Sequence, residues 1–155
     1  MKQLNPEYVA AVRRTVNTCP YFSLLGMRIE DLQPGESRVV IDVEPKHFQP
    51  FGLVHGGVFS SLVDASCFWA VYTEVEDGTA MTTVEVKLNY LAPSQSGQLI
   101  GRGRTVKLGK TLGLGEARIE DEAGRLLCHG TSTVMVVPNL ELAGSDGYPA
   151  KFAAD

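Results

Sequence analysis

Gly56-Gly57-Val58-Phe59-Ser60-Ser61-Leu62-Val63-Asp64-Ala65-Ser66-Cys67-Phe68-Trp69-Ala70-Val71-Tyr72-Thr73 is the stretch that decides the fold. Apolar side chains occur on nearly every face of it: Val58, Phe59, Leu62, Val63, Phe68, Trp69, Ala70 and Val71. Eighteen residues without a turn signal are too long for one buried strand and predict a helix. A helix apolar all round belongs inside a protein and not on its surface. Something must therefore wrap it.

The residues downstream supply the wrapping. Met81–Leu91, Gln98–Leu108, Leu112–Glu120 and Leu126–Val137 read as strands, separated by turn chemistry at Pro93 to Gly97, Gly109-Lys110 and Asp121 to Gly124. Upstream, Pro45 to Gly52 is a Pro- and Gly-punctuated loop. Before it, Met27, Ile29 and Leu32 lead through a Pro34-Gly35 turn into the β-branched run Arg38–Val43, which predicts a hairpin. Asn5-Pro6-Glu7 is a helix start, with a capping side chain, Pro at the first position and an early acid; Val9, Val12 and Val16 carry that helix to about Asn17, where Cys19-Pro20 interrupts it. Residues 138–155 have little periodicity and predict a loosely held arm. The whole is α+β, an antiparallel sheet curled around a long central helix, in one domain over residues 1–155 with its core at about 22–137.

Composition narrows the class. The 155 residues are 44% hydrophobic and 21% charged, with a net charge of −4. That balance is the wrong sign for a general nucleic-acid binder or an anionic-membrane binder. Cys19, Cys67 and Cys128 are odd in number and widely spaced, which argues against a disulfide framework and fits a reducing compartment. No apolar run follows a basic head at the start, and no stretch approaches a membrane span, so a cytoplasmic protein is expected. His47, His55 and His129 have no ligand-type spacing with the cysteines, so neither a metal nor a cofactor is expected.

Asp64 stands out against this background. It is the only formally charged residue between Lys46 and Glu74, and it lies in the most apolar helix. A carboxylate there needs a partner, a raised pKa or a job. At the start of the same helix stand Val54-His55-Gly56-Gly57. Paired glycines either make room for tight packing or let a ligand reach free backbone N–H donors, which with the helix dipole suit an oxyanion or phosphate. Gly56 and Asp64 are eight residues apart, about 12 Å along a helix. That is too far for both to act on one carbonyl from one chain. If both work together, Gly56 of one subunit meets Asp64 of another, and the protein is a dimer.

The run Gln49-Pro50-Phe51-Gly52-Leu53-Val54-His55-Gly56-Gly57, with Asp64 seven residues after the second glycine, resembles the signature of the PaaI-like hot-dog thioesterases. The order of elements is similar, as are the strand Val84-Glu85-Val86-Lys87-Leu88-Asn89-Tyr90 and the turns Gly109-Lys110-Thr111 and Gly124-Arg125-Leu126; the match runs from about Phe22 to Val137. The resemblance implies the hot-dog fold and hydrolysis of acyl-CoA by a homodimer with shared active sites that pairs into a homotetramer. It implies that Gly56 donates its N–H to the thioester oxygen and that Asp64 of the partner acts as general base or nucleophile. Gln49 stands where members commonly carry Asn or Gln near the thioester or water, and Thr83 matches a Ser/Thr position that helps hold the attacking water. His55 belongs to the same signature, and Gly57 and Asn89 are assigned to substrate binding.

From Val86 to Gly115 there is no acid, while Lys87, Arg102, Arg104, Lys107 and Lys110 are basic. Such a run either guards a strand edge or docks the phosphates of CoA, with Lys107, Lys110 and Thr111 at the turn. Tyr21, Phe22, Leu25, Phe59 and Trp69 are candidates for receiving the acyl group. Other hydrolytic designs are poorly supported: no Gly-x-Ser-x-Gly elbow is present, and adjacent strand residues Cys128 and His129 point to opposite faces. Two alternatives stay open, an enoyl-CoA hydratase or dehydratase of the same fold and a non-catalytic acyl-CoA-binding protein.

Overall fold

A computed structural model describes residues 2–154. Helix α1, Pro6–Asn17, starts as its sequence predicts, with Asn5 accepting the Glu7 N–H at 3.0 Å, and buries Tyr8, Ala11, Val12 and Val16. Cys19-Pro20 does more than interrupt it: Pro20 opens a second short helix, α2, Pro20–Leu25, which ends on left-handed Gly26. Strands β1, Met27–Gln33, and β2, Glu36–Asp42, form the expected hairpin. The loop that follows carries a single 3-10 turn, Pro45–His47, and delivers the chain to α3, Gly56–Tyr72. Strands β3, Thr79–Tyr90, β4, Gln98–Leu108, β5, Leu112–Glu120, and β6, Leu126–Pro138, complete one antiparallel sheet in the order β1-β2-β4-β5-β6-β3.

Helix α3 lies across the inner face of this sheet and touches all its strands, which is the hot-dog arrangement. Leu62, Val63, Cys67, Ala70 and Val71 are fully enclosed. The wrap is tight because the strands offer glycine beneath the helix backbone. A β-carbon at Gly103 would collide with the Ser66 carbonyl, and one at Gly115 would lie 2.9 Å from the Cys67 carbonyl oxygen.

The C-terminal residues are not a loose arm. Tyr148 packs edge-on to Tyr8 of α1 and donates to the Ala11 carbonyl at 3.1 Å. Phe152 bridges to Leu4, and the Lys151 ammonium is buried against the C-terminal end of α3, donating to the carbonyls of Tyr72 at 2.5 Å and Val75 at 2.7 Å. Periodicity missed this segment because its contacts come from isolated anchors, Tyr148, Lys151 and Phe152, rather than from a repeating face. No helix among the described residues is long and apolar enough to cross a membrane.

Candidate active site

Asp64 sits midway along α3, half-buried, at the edge of an open recess of about 490 Å³. Its lining is mostly apolar and aromatic: Tyr21 and Phe22 of α2, Phe68 and Trp69 of α3, and Val86 of β3. Two hydroxyls fix the carboxylate. Thr83 and Ser132 each donate to Oδ1 at 2.9 Å, and among the described residues Oδ2 accepts nothing. The partner that burial demands is therefore a pair of neutral hydroxyls and not an arginine.

A β-bulge brings Thr83 there. The register of β3 against β6 slips between Thr83 and Glu85. Before the slip Met81 and Thr83 face α3; after it Val86, Leu88 and Tyr90 do. Strict alternation would have put Thr83 and Tyr90 on opposite faces. On β6 the inward set is Cys128, Gly130, Ser132 and Val134, so Ser132 arrives opposite Asp64 by ordinary alternation.

The other half of the site is the start of α3. His55 is its N-cap, and its Nδ1 accepts the Gly57 N–H at 2.7 Å, so that donor is already used. The Gly56 N–H has no partner among the described residues. Tyr90 closes over this glycine, donating to the Gly56 carbonyl at 3.1 Å, and a β-carbon on Gly56 would lie 2.9 Å from the Tyr90 oxygen. Gln49, Gly56, Phe59 and Tyr90 line a second recess of about 420 Å³. Within its loop the Gln49 side chain accepts the Phe51 N–H. Buried His47 ties the loop down: Nδ1 accepts the Glu44 N–H at 2.9 Å, Nε2 donates to the Leu25 carbonyl at 2.7 Å, and its carbonyl accepts the His55 N–H at 2.8 Å.

Within one protomer the two halves stay apart, in separate recesses. Of the apolar candidates, Tyr21, Phe22 and Trp69 join Asp64, Phe59 joins Gly56, and Leu25 lines neither recess. Asn89 is exposed opposite His129 on the outer side of β3 and also lines neither. Lys107, Lys110 and Thr111 are exposed at the β4–β5 hairpin, whose Thr111 carbonyl accepts the Val136 N–H at 2.8 Å. The expected run of positive charge is smaller in space than in sequence. Arg102 pairs with Glu120 and Arg104 with Glu116, both acids coming from neighbouring β5, where sequence separation hid them. Lys87, Lys107 and Lys110 form no ion pair among the described residues.

The two buried cysteines offer no rival nucleophile. Burial, reinforced by the Asp64 charge, pushes the Cys67 thiol up to about 12, and burial pushes Cys128 up to about 11. His129 turns away from Cys128 toward Glu116, 3.8 Å distant. No cluster of metal-ligating side chains occurs among the described residues. Ser132 and Tyr90 are site residues that sequence reading missed; a serine or tyrosine within a strand carries no signal until the sheet places it against Asp64 or Gly56.

Comparison with known proteins bears on this geometry. The family described as Thioesterase superfamily matches residues 51–128. A 1,4-dihydroxy-2-naphthoyl-CoA hydrolase of Listeria monocytogenes is 30% identical over 112 residues, covering 72% of this chain and 91% of the relative. Among solved structures, a thioesterase of Haemophilus influenzae superposes with a TM-score of 0.82 at 24% identity, covering 91% of this chain and 98% of its own. A phenylacetic acid degradation-related protein of Ralstonia eutropha gives 0.73 at 25% identity, covering 83% and 98%.

Proposed function

The chain belongs to the thioesterase superfamily and is a thioester hydrolase of the hot-dog fold, and from that premise we propose that it cleaves acyl-CoA to a free acid and CoA in sites shared between two subunits. The observation that carries this is a carboxylate and an unpaired helix-start N–H on one helix, about 12 Å apart and opening into different recesses. Each lacks what the other has.

In the shared site the Gly56 N–H of one subunit meets the thioester oxygen, where negative charge grows as the carbonyl is attacked; a fixed donor in a dry site stabilises that charge without reorganising. Asp64 of the other subunit takes the proton from water, or attacks the carbonyl itself, and the C–S bond breaks with CoA leaving as its thiolate. Thr83, exposed at the sheet edge, shares the water with Asp64. His55 serves as the cap that keeps the helix start open, and Gln49 stands beside the carbonyl. The acyl group enters the aromatic recess between α2 and α3. The phosphates of CoA dock on Lys107, Lys110 and Thr111, since Arg102 and Arg104 are held by acids. The name of the Listeria relative supports an acyl-CoA substrate. Pairs of such dimers form the tetramer, and free cysteines suit the cytoplasm.

The test is thiol release from a panel of aromatic and aliphatic acyl-CoAs. Asp64→Ala and Asp64→Asn should lose at least about 10²-fold in kcat. Near-normal rates would remove Asp64 from the mechanism. Charge reversal at Lys107 and Lys110 should raise KM with kcat little changed, and an unchanged KM would refute the docking surface.

A further inference from the structure

We infer that Ser132 is the permanent positioning residue of the catalytic carboxylate, holding Asp64 Oδ1 so that Oδ2 is the oxygen that reacts; this rests on the proposed role of Asp64. The two hydroxyls on Oδ1 are not equivalent. Thr83 is exposed on an edge strand and can turn from the carboxylate to water or substrate. Ser132 is fully enclosed between β6 and α3, and its hydroxyl donates to Asp64 at 2.9 Å. It has no water to turn to. A buried hydroxyl donating to a carboxylate fixes the carboxylate plane. That leaves Oδ2, which accepts nothing among the described residues, as the oxygen available to water or substrate in the recess that Asp64 lines.

The experiment compares wild type, Ser132→Ala, Ser132→Cys and Asp64→Asn in steady-state kinetics of thiol release. Cys keeps about the volume of the serine but is a weak donor. In both Ser132 variants kcat should fall about 10-fold with KM little changed. A wild-type kcat in Ser132→Cys overturns the inference, because it makes packing, which Cys preserves, the whole of what Ser132 contributes. The outcomes separate: an active Asp64→Asn sinks the role of Asp64 itself, whereas an inactive Asp64→Asn beside a Ser132→Cys with wild-type kcat sinks only this assignment.

Discussion

Gly56 is glycine for a reason of space. Tyr90 lies over it, and a methyl group there would sit 2.9 Å from the phenol oxygen and 3.0 Å from the ring carbon that bears it. Gly56→Ala should thus lower kcat by on the order of 10-fold, by turning the helix start against Tyr90 and misaiming the free N–H. Gly56→Ala combined with Tyr90→Ala should recover part of that loss, and steady-state kinetics of the two variants check it. The thiols give a second test at this scale. With Cys67 pushed up to about 12 and Cys128 to about 11, both enclosed, native protein at pH 8 should react rapidly with a thiol reagent at half-buried Cys19 and slowly at the other two. Asp64 and Gly56 were legible in the sequence because each breaks a local rule, a charge in an apolar helix and paired glycines at its start. Thr83 was legible only through the family resemblance. Its place beside Asp64 depends on the bulge after it, and nothing in the residues Thr83-Val84-Glu85 announces a bulge.

Helix α3 and the strands beneath it show what periodicity conveys and what it hides. All-round apolarity announced burial, but the closeness of the approach lies in the strand glycines. Gly103→Ala, whose methyl would meet the Ser66 carbonyl, should cost about 3 kcal/mol or more by denaturant unfolding, and more than Gly109→Ala at the β4–β5 turn, where the methyl would lie 3.2 Å from the Leu112 carbonyl oxygen. The C-terminal end of α3 carries a further consequence. Lys151 donates to two carbonyls there and lies over the Tyr72 ring at 4.2 Å, yet burial lowers its pKa from 10.5 to about 8, with Asp77 and Glu76 opposing. Between those two values Lys151 binds more protons in the unfolded chain than in the folded one, so its own contribution to stability rises with pH across that window. Cys67 and Cys128, raised above the ordinary thiol value of 9.0, act in the opposite sense from about pH 9, and buried Tyr8 and Tyr72 do so beyond pH 10. The urea midpoint of wild type relative to that of Lys151→Met should therefore climb from about pH 8 to about pH 10, since the thiols and phenols are common to both. A difference that stays constant with pH would count against a buried ammonium.

At the scale of the whole molecule, the sheet ends in an edge that asks for a neighbour. Strand β3 pairs with β6 on one side only, and Val84, Tyr90 and the following Leu91 are each more than half exposed. A long apolar edge left open invites strand pairing. The same strand carries Thr83 beside Asp64 and Tyr90 beside Gly56, so a partner placed along it lies next to both halves of the site. The fold could be inferred from the all-round apolar helix and the strands that follow it, and the separation of the half-sites from helix geometry; the edge that a second subunit would use became visible only once the strand order put β3 last. The most direct measurement is complementation. Asp64→Asn and a Gly56→Val variant, each inactive alone, are unfolded together, refolded and assayed for thiol release. Sites built across the subunit boundary should return about one quarter of wild-type activity, because half of the dimers are mixed and each mixed dimer has one intact site. No recovery from a mixture shown to contain mixed dimers would contradict the account.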